Sequence, residues 1–215
     1  MDPGDFFPQL QEAVSQLPVP VITVLARRGA PPFQLLAATL LSLRTRDAAT
    51  TGAAQRLFLI APDPAALLQV GVARVEEAIY PVGFYRVKAR QLYQIAGILV
   101  EEYAGEVPAD RAALLRLPGV GIKTANLVLI HGFNKEFICV DIHVHRISNR
   151  IGLIKTGSPE ESETHLYKVL PRDIWKVYND VLVAFGQSVC TPLSPHCSLC
   201  PLAVSCPALG VGRKR

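Results

Sequence analysis

The chain is predicted to be all-α, and three observations carry that expectation. Apolar residues recur at three- and four-residue spacing in one segment after another. No two neighbouring segments alternate apolar and polar residues over strand length with a hairpin turn between them. Capping residues, prolines and glycines punctuate the periodic stretches at helical lengths. In order, Phe7, Leu10, Val14 and Leu17 give the apolar stripe of a first helix. Pro32 opens a second, Phe33 to Leu43, and Asp47 stands where it would cap a third carrying Ala54, Leu57 and Phe58. Asp63-Pro64 reads as a cap followed by proline at the first helical position. Segments Val72 to Tyr80, Arg86 to Tyr103 and Asp110 to Arg116 follow, each bounded by glycine or proline. After Gly121, residues Ile122, Ala125, Leu127, Val128 and Leu129 read as an apolar helix. Asp141 precedes Ile142, Val144, Ile147 and Ile151, again at near-helical spacing. Ser158-Pro159-Glu160-Glu161 is a capping box for a helix ending near Leu170, and Asp173 to Phe185 forms the last.

A chain of 215 residues can bury a sizeable core in one domain or two small ones. Its net charge of +4 and its Arg213-Lys214-Arg215 tail give a mild bias toward polyanions. No apolar run reaches the roughly eighteen residues of a membrane span. The acidic start, Met1-Asp2-Pro3-Gly4-Asp5, lacks the basic region of a secretory or organellar leader. A soluble intracellular protein with no membrane partner is expected.

The most informative stretch is Leu117-Pro118-Gly119-Val120-Gly121-Ile122-Lys123-Thr124-Ala125. Two glycines two apart, after a proline, allow a tight turn and close approach of a ligand to the backbone. A Gly-rich turn opening a helix presents unpaired N–H groups and a positive dipole end, which suits a phosphate. Lys123 falls in the first turn of that helix, where the dipole disfavours a cation, and a neutral amine is a nucleophile. A Walker A loop is excluded, because a single residue separates the glycines and the upstream segment reads as helix. Asp141 follows eighteen residues after Lys123 and is also a natural N-cap.

Four of the five cysteines fall within seventeen residues: Cys190, Cys197, Cys200 and Cys206. Four thiolates this close can enclose a zinc ion or an iron–sulfur cluster. Structural zinc sites usually pair two C-x2-C knuckles, and only Cys197 and Cys200 form one here. The wider, unequal gaps suit the spread corners of a cubane better. Cys139 stands apart and reads as a small buried hydrophobe.

The hairpin, the Val140-Asp141 segment and the cysteine run together resemble the endonuclease III branch of the helix-hairpin-helix DNA glycosylases, over nearly the whole chain. The resemblance implies a two-lobed all-α fold with a C-terminal [4Fe–4S] cluster loop spanning 190–206. One lobe of six helices would comprise 31–134, and the other 1–30 with 135–215. It implies Lys123 as nucleophile and Asp141 as its catalytic partner, facing one another across a cleft. It makes Cys190, Cys197, Cys200 and Cys206 the ligands of a [4Fe–4S] cluster, and Gly119, Val120, Gly121 and Thr124 DNA contacts. Arg44 stands where the family usually has a glutamine that enters the space vacated by the flipped nucleotide; arginine is longer, charged and able to pair bidentately with guanine. Phe84 matches an apolar wedge. Arg86, Lys88 and Arg90 beyond it are candidate phosphate contacts. His143 and His145, two apart on a helix, face away from each other and share no metal; His143 is expected to be structural or to contact DNA.

The implied activity is bifunctional. The enzyme would excise oxidised pyrimidines from double-stranded DNA through a lysine Schiff base, then cleave 3′ to the abasic site by β-elimination. Damaged-pyrimidine or abasic duplexes are the expected partners, and a monomer the expected state. Adenine and thymine-mismatch glycosylases of the same fold lack the lysine, so Lys123 argues against them. Asp141 argues against a non-catalytic DNA-binding module, and some 190 residues of helix argue against an electron carrier.

Overall fold

The computed structural model describes residues 2–215, and among these it contains twelve α-helices, two short 3₁₀ turns and no strand. The chain divides into two compact units, one of residues 21–135 and the other of residues 1–20 and 136–215.

The unit of residues 21–135 holds α2 (Val21–Arg27), α3 (Pro32–Ser42), α4 (Asp47–Ile60), α5 (Pro64–Val70), α6 (Val72–Ile79), α7 (Tyr85–Tyr103), α8 (Arg111–Leu115) and α9 (Ile122–Phe133). Helix α3 is its axis. Leu35 to Leu41 are all buried, as is Phe33, so the helix is enclosed on every side rather than along one stripe. It packs on α4, α7 and α9, while α5 and α6 pack on α7. Gly132 of α9 lets the backbones close up, since a Cβ there would meet Pro32 at 3.4 Å. Pro64 opens α5 behind Asp63, whose carboxylate accepts from Ala66 N at 2.8 Å, and Asp110 caps α8 through Ala113 N in the same way.

Two local expectations change here. The sequence pattern gives no helix over 21–27, yet α2 forms and packs on α3, α4 and α9, so this unit begins ten residues before the expected Pro31. Asp47 is not a cap. It is the first residue of α4, whose N-cap is Arg46, and its carboxylate instead accepts from Val21 N at 3.4 Å, tying the start of α2 to α4.

The other unit holds α1 (Pro3–Val14), α10 (Ile142–Arg150), α11 (Pro159–Val169) and α12 (Trp175–Ser188). Phe6, Phe7 and Leu10 of α1 join Val144 and Ile147 of α10, Leu166 of α11, and Tyr178, Leu182 and Phe185 of α12 in one apolar core. Phe7 stacks on Tyr178 with ring centroids 5.6 Å apart. The Tyr178 hydroxyl, fully buried, finds Ser148 Oγ at 3.0 Å, as a phenol removed from water must. The capping box at α11 is modified: Ser158 Oγ accepts from Glu161 N, but Glu161 reaches back to Gly157 N at 2.7 Å. No helix among the described residues is long and apolar enough to cross a membrane.

Candidate active site

Helix α8 and helix α9 are joined by the glycine turn. Gly119 has φ +78°, a left-handed conformation that side chains resist, and a Cβ there would lie 2.6 Å from Gln91 of α7. Gly121 is different. Its φ of −97° suits any residue, and nothing lies within 4 Å of where its Cβ would be. Open space therefore fronts this turn. Gly121 is the N-cap of α9 and offers no side chain to the first amides of the helix, so the positive dipole end is uncapped. Val120 is buried and pins the turn, and Thr124 is buried one residue beyond the half-buried Lys123.

Asp141 is the N-cap of α10 and 7 % exposed. Its Oδ1 accepts from His143 N at 2.8 Å and from Val144 N at 3.0 Å, which fixes the plane of the carboxylate. His143 Nδ1 meets Arg146 Nη2 at 3.1 Å, and Gly186 of α12 leaves the room that both need, since a Cβ there would sit 2.5 Å from the imidazole. His145 points elsewhere, to Ser162 Oγ at 2.7 Å.

Two loops carry the predicted duplex-facing residues, and the structure brings them together. Arg44 and Phe84 both adopt left-handed backbones, φ 56° and 58°, and the Arg44 guanidinium lies 5.2 Å above the Phe84 ring. Phe84 is 60 % exposed. Strained non-glycine residues persist only where their surroundings over-determine them, and they concentrate at functional sites.

Cys190, Cys197, Cys200 and Cys206 line one cavity of about 50 Å³, with Phe185, Leu202 and Arg150 around them. All four are free thiols, and no three His, Cys, Asp or Glu side chains among the described residues are grouped to hold a single metal ion. Burial pushes the Cys200 and Cys206 thiols up, and the charges of the neighbouring sulfurs add to the rise. Arg150, 9 % exposed, donates to Cys190 Sγ at 3.5 Å and to Thr191 O at 2.7 Å. Arg146 donates to Cys190 O at 2.8 Å. The basic tail lies along the same loop, Arg215 N donating to Pro195 O at 2.8 Å and Ser198 N to Arg215 O at 3.0 Å.

Residues 37–172 match the model of the HhH-GPD superfamily of base excision DNA repair proteins. Endonuclease III of Thermotoga maritima is 46 % identical over 175 residues, 81 % of this chain and 82 % of that one. A solved structure of a trapped endonuclease III–DNA covalent intermediate superimposes with a TM-score of 0.78 at 38 % identity, covering 83 % of this chain and 84 % of that one. The chain belongs to the endonuclease III family. It is accordingly a base excision repair enzyme, a DNA glycosylase and abasic-site lyase. The chloroplastic endonuclease III homolog 2 of Arabidopsis thaliana is 43 % identical over 82 % of this chain, which spans about half (48 %) of that longer relative.

Within this endonuclease III fold, one sequence expectation is overturned. Lys88 is not a phosphate contact. It is 5 % exposed, and its Nζ donates to Leu41 O at 2.9 Å, Leu43 O at 2.6 Å and Thr45 Oγ1 at 3.3 Å. Burial pushes its pKa down to about 8, while three acceptors, one for each N–H, favour the ammonium. The signal was in the sequence: Lys88, Leu92, Ile95 and Leu99 recur on one apolar face of α7. Arg86 remains outside, over the Tyr85 ring at 5.1 Å, and Arg90 is exposed.

Proposed function

We propose that this enzyme, acting as a monomer on duplex DNA, removes oxidised pyrimidines by covalent attack of Lys123 and then cuts the strand 3′ to the lesion. One observation carries the reading: an amine in the first turn of α9, behind an uncapped glycine turn with open space before it. The start of α9, where the N-cap Gly121 supplies no side-chain acceptor, would hold a backbone phosphate, since a helix N-terminus is a ready anion site. Arg44 and Phe84 would meet the duplex, and His143 would contact DNA. The unprotonated Lys123 Nζ attacks C1′ of the sugar, and the bond from C1′ to the base breaks, the electron pair leaving with the base. Asp141 manages the proton that must reach the departing base and stabilises positive charge on the sugar. Opening of the sugar ring gives an imine between Lys123 and C1′. Loss of a proton from C2′ then expels the 3′ phosphate by β-elimination, and water frees the lysine.

Cys190, Cys197, Cys200 and Cys206 would hold a [4Fe–4S] cluster. They line a common cavity, and the positive core of a cluster would offset the charge of four thiolate ligands there. Its contribution is ligation that closes the 190–206 loop, with Arg150 and Arg146 fixing Cys190. Metal analysis tests this: about four irons per chain are expected, and about one zinc with no iron overturns it.

The phosphate site has its own test. Gly121→Ala is expected to change stability by no more than about 1 kcal/mol, the loss at an N-cap being offset by a stiffer unfolded chain, and to weaken binding of an abasic-analogue duplex, because the added methyl enters the space before the amides. Gly119→Ala destabilises the fold itself, by about 1–2 kcal/mol, through its backbone and through Gln91. A Gly121→Ala protein that binds DNA like the wild type rules this phosphate site out. Borohydride trapping on a duplex with an oxidised pyrimidine tests the reaction, and a covalent adduct is the expected result.

A further inference from the structure

The Arg44 and Phe84 loops are separated by forty residues in sequence, yet one buried side chain holds both. Lys88 Nζ takes the carbonyls of Leu41 and Leu43 at the C-terminal end of α3, where the dipole favours a cation. It also donates to Thr45 Oγ1, and that oxygen accepts from Gly83 N at 3.1 Å. Position 83 tolerates no side chain, since a Cβ would lie 2.9 Å from Arg44 O. The backbones flanking Arg44 and Phe84 are thus joined through Lys88, Thr45 and Gly83, and beside this junction both residues are left-handed with the guanidinium over the ring.

We propose that Lys88 is a positioning residue, which through Thr45 and Gly83 holds Arg44 and Phe84 as one rigid unit that enters the duplex together. This rests on the reading above that the pair meets DNA. A stacked arginine and aromatic ring presents a flat, charged surface of about the shape of a base, and keeping the two in register removes the entropy of ordering each side chain at the moment of entry. Lys88 itself touches no substrate.

The test is a double-mutant cycle on a lesion-bearing duplex, with an abasic single strand, which has no stack to enter, as the control substrate. Lys88→Met is expected to lower kcat/KM on the duplex on the order of ten- to a hundredfold and to leave cleavage of the single strand unchanged. Arg44→Ala is expected to lose much of its effect in the Lys88→Met background, because the pair is already out of register. Thr45→Val, which breaks the link to Gly83 and leaves the two carbonyl bonds of Lys88, shifts the duplex reaction in the same direction and serves if Lys88→Met does not fold. Lys88→Arg retains part of the duplex activity. Equal losses on both substrates, or additive effects of Lys88→Met and Arg44→Ala, overturn the proposal while leaving the DNA-contact reading standing. Arg44→Ala and Phe84→Ala that are each neutral on the duplex overturn that reading and the proposal with it.

Discussion

Lys123→Ala yields no borohydride-trapped adduct, and its strand cleavage falls by a factor on the order of 10⁴ or more. The loss is confined to chemistry. Lys123 is half-buried in the first turn of α9, alanine is the better helix former, and the buried Thr124 and Ala125 that fasten this turn remain in place. The unfolding free energy is therefore expected to change by no more than about 1 kcal/mol, and undamaged duplex to bind through the same helix start. Single-turnover kinetics on a thymine glycol duplex, with circular dichroism alongside, separate the two effects. An adduct that persists in the alanine variant removes Lys123 from the mechanism.

Asp141 gives the second large effect, and its two substitutions part in an instructive way. Asparagine caps a helix about as well as aspartate, so Asp141→Asn keeps the bonds to His143 N and Val144 N and leaves stability nearly unchanged. Base release is expected to drop by about 10²–10⁴, the range for losing a positioned acid or base. Asp141→Ala loses the same activity and also destabilises the protein by about 1 kcal/mol as the amides of α10 go uncapped. Urea titrations beside excision rates check both. Equal activity in the asparagine variant and the wild type reduces Asp141 to a cap.

What the sequence disclosed follows from how local each feature is. The glycine turn, the capped starts at Asp63, Asp110 and Ser158, and the cysteine run each lie within a few residues, so spacing alone exposes them. Helix α2 escaped because Val21-Ile22-Thr23-Val24 is β-branched and follows Pro18 and Pro20. Its helicity comes from burying Val21, Ile22 and Thr23 against neighbours distant in sequence, a tertiary override of propensity. Asp47 misled for a related reason, since a carboxylate before an apolar stripe serves a distant amide as readily as its own helix. The Lys88 clamp joins residues more than forty positions apart, and no periodicity encodes which loops its ammonium reaches. The contact of Arg44 with Phe84 is equally non-local: the family resemblance singles out each position, but no spacing in the sequence encodes their stacking.

The interrupted course of the chain bears on how it is made. Residues 21–135 are contiguous and hold their own core, whereas Phe6, Phe7 and Leu10 are synthesised before that unit and pack on Tyr178 and Phe185, which are made after it. At typical translation speeds that delay is on the order of ten to forty seconds, during which a greasy amphipathic segment of the nascent polypeptide stays without its α12 partners. Chaperone engagement early in synthesis, and aggregation of truncated products lacking α12, are the natural outcomes of that order of assembly.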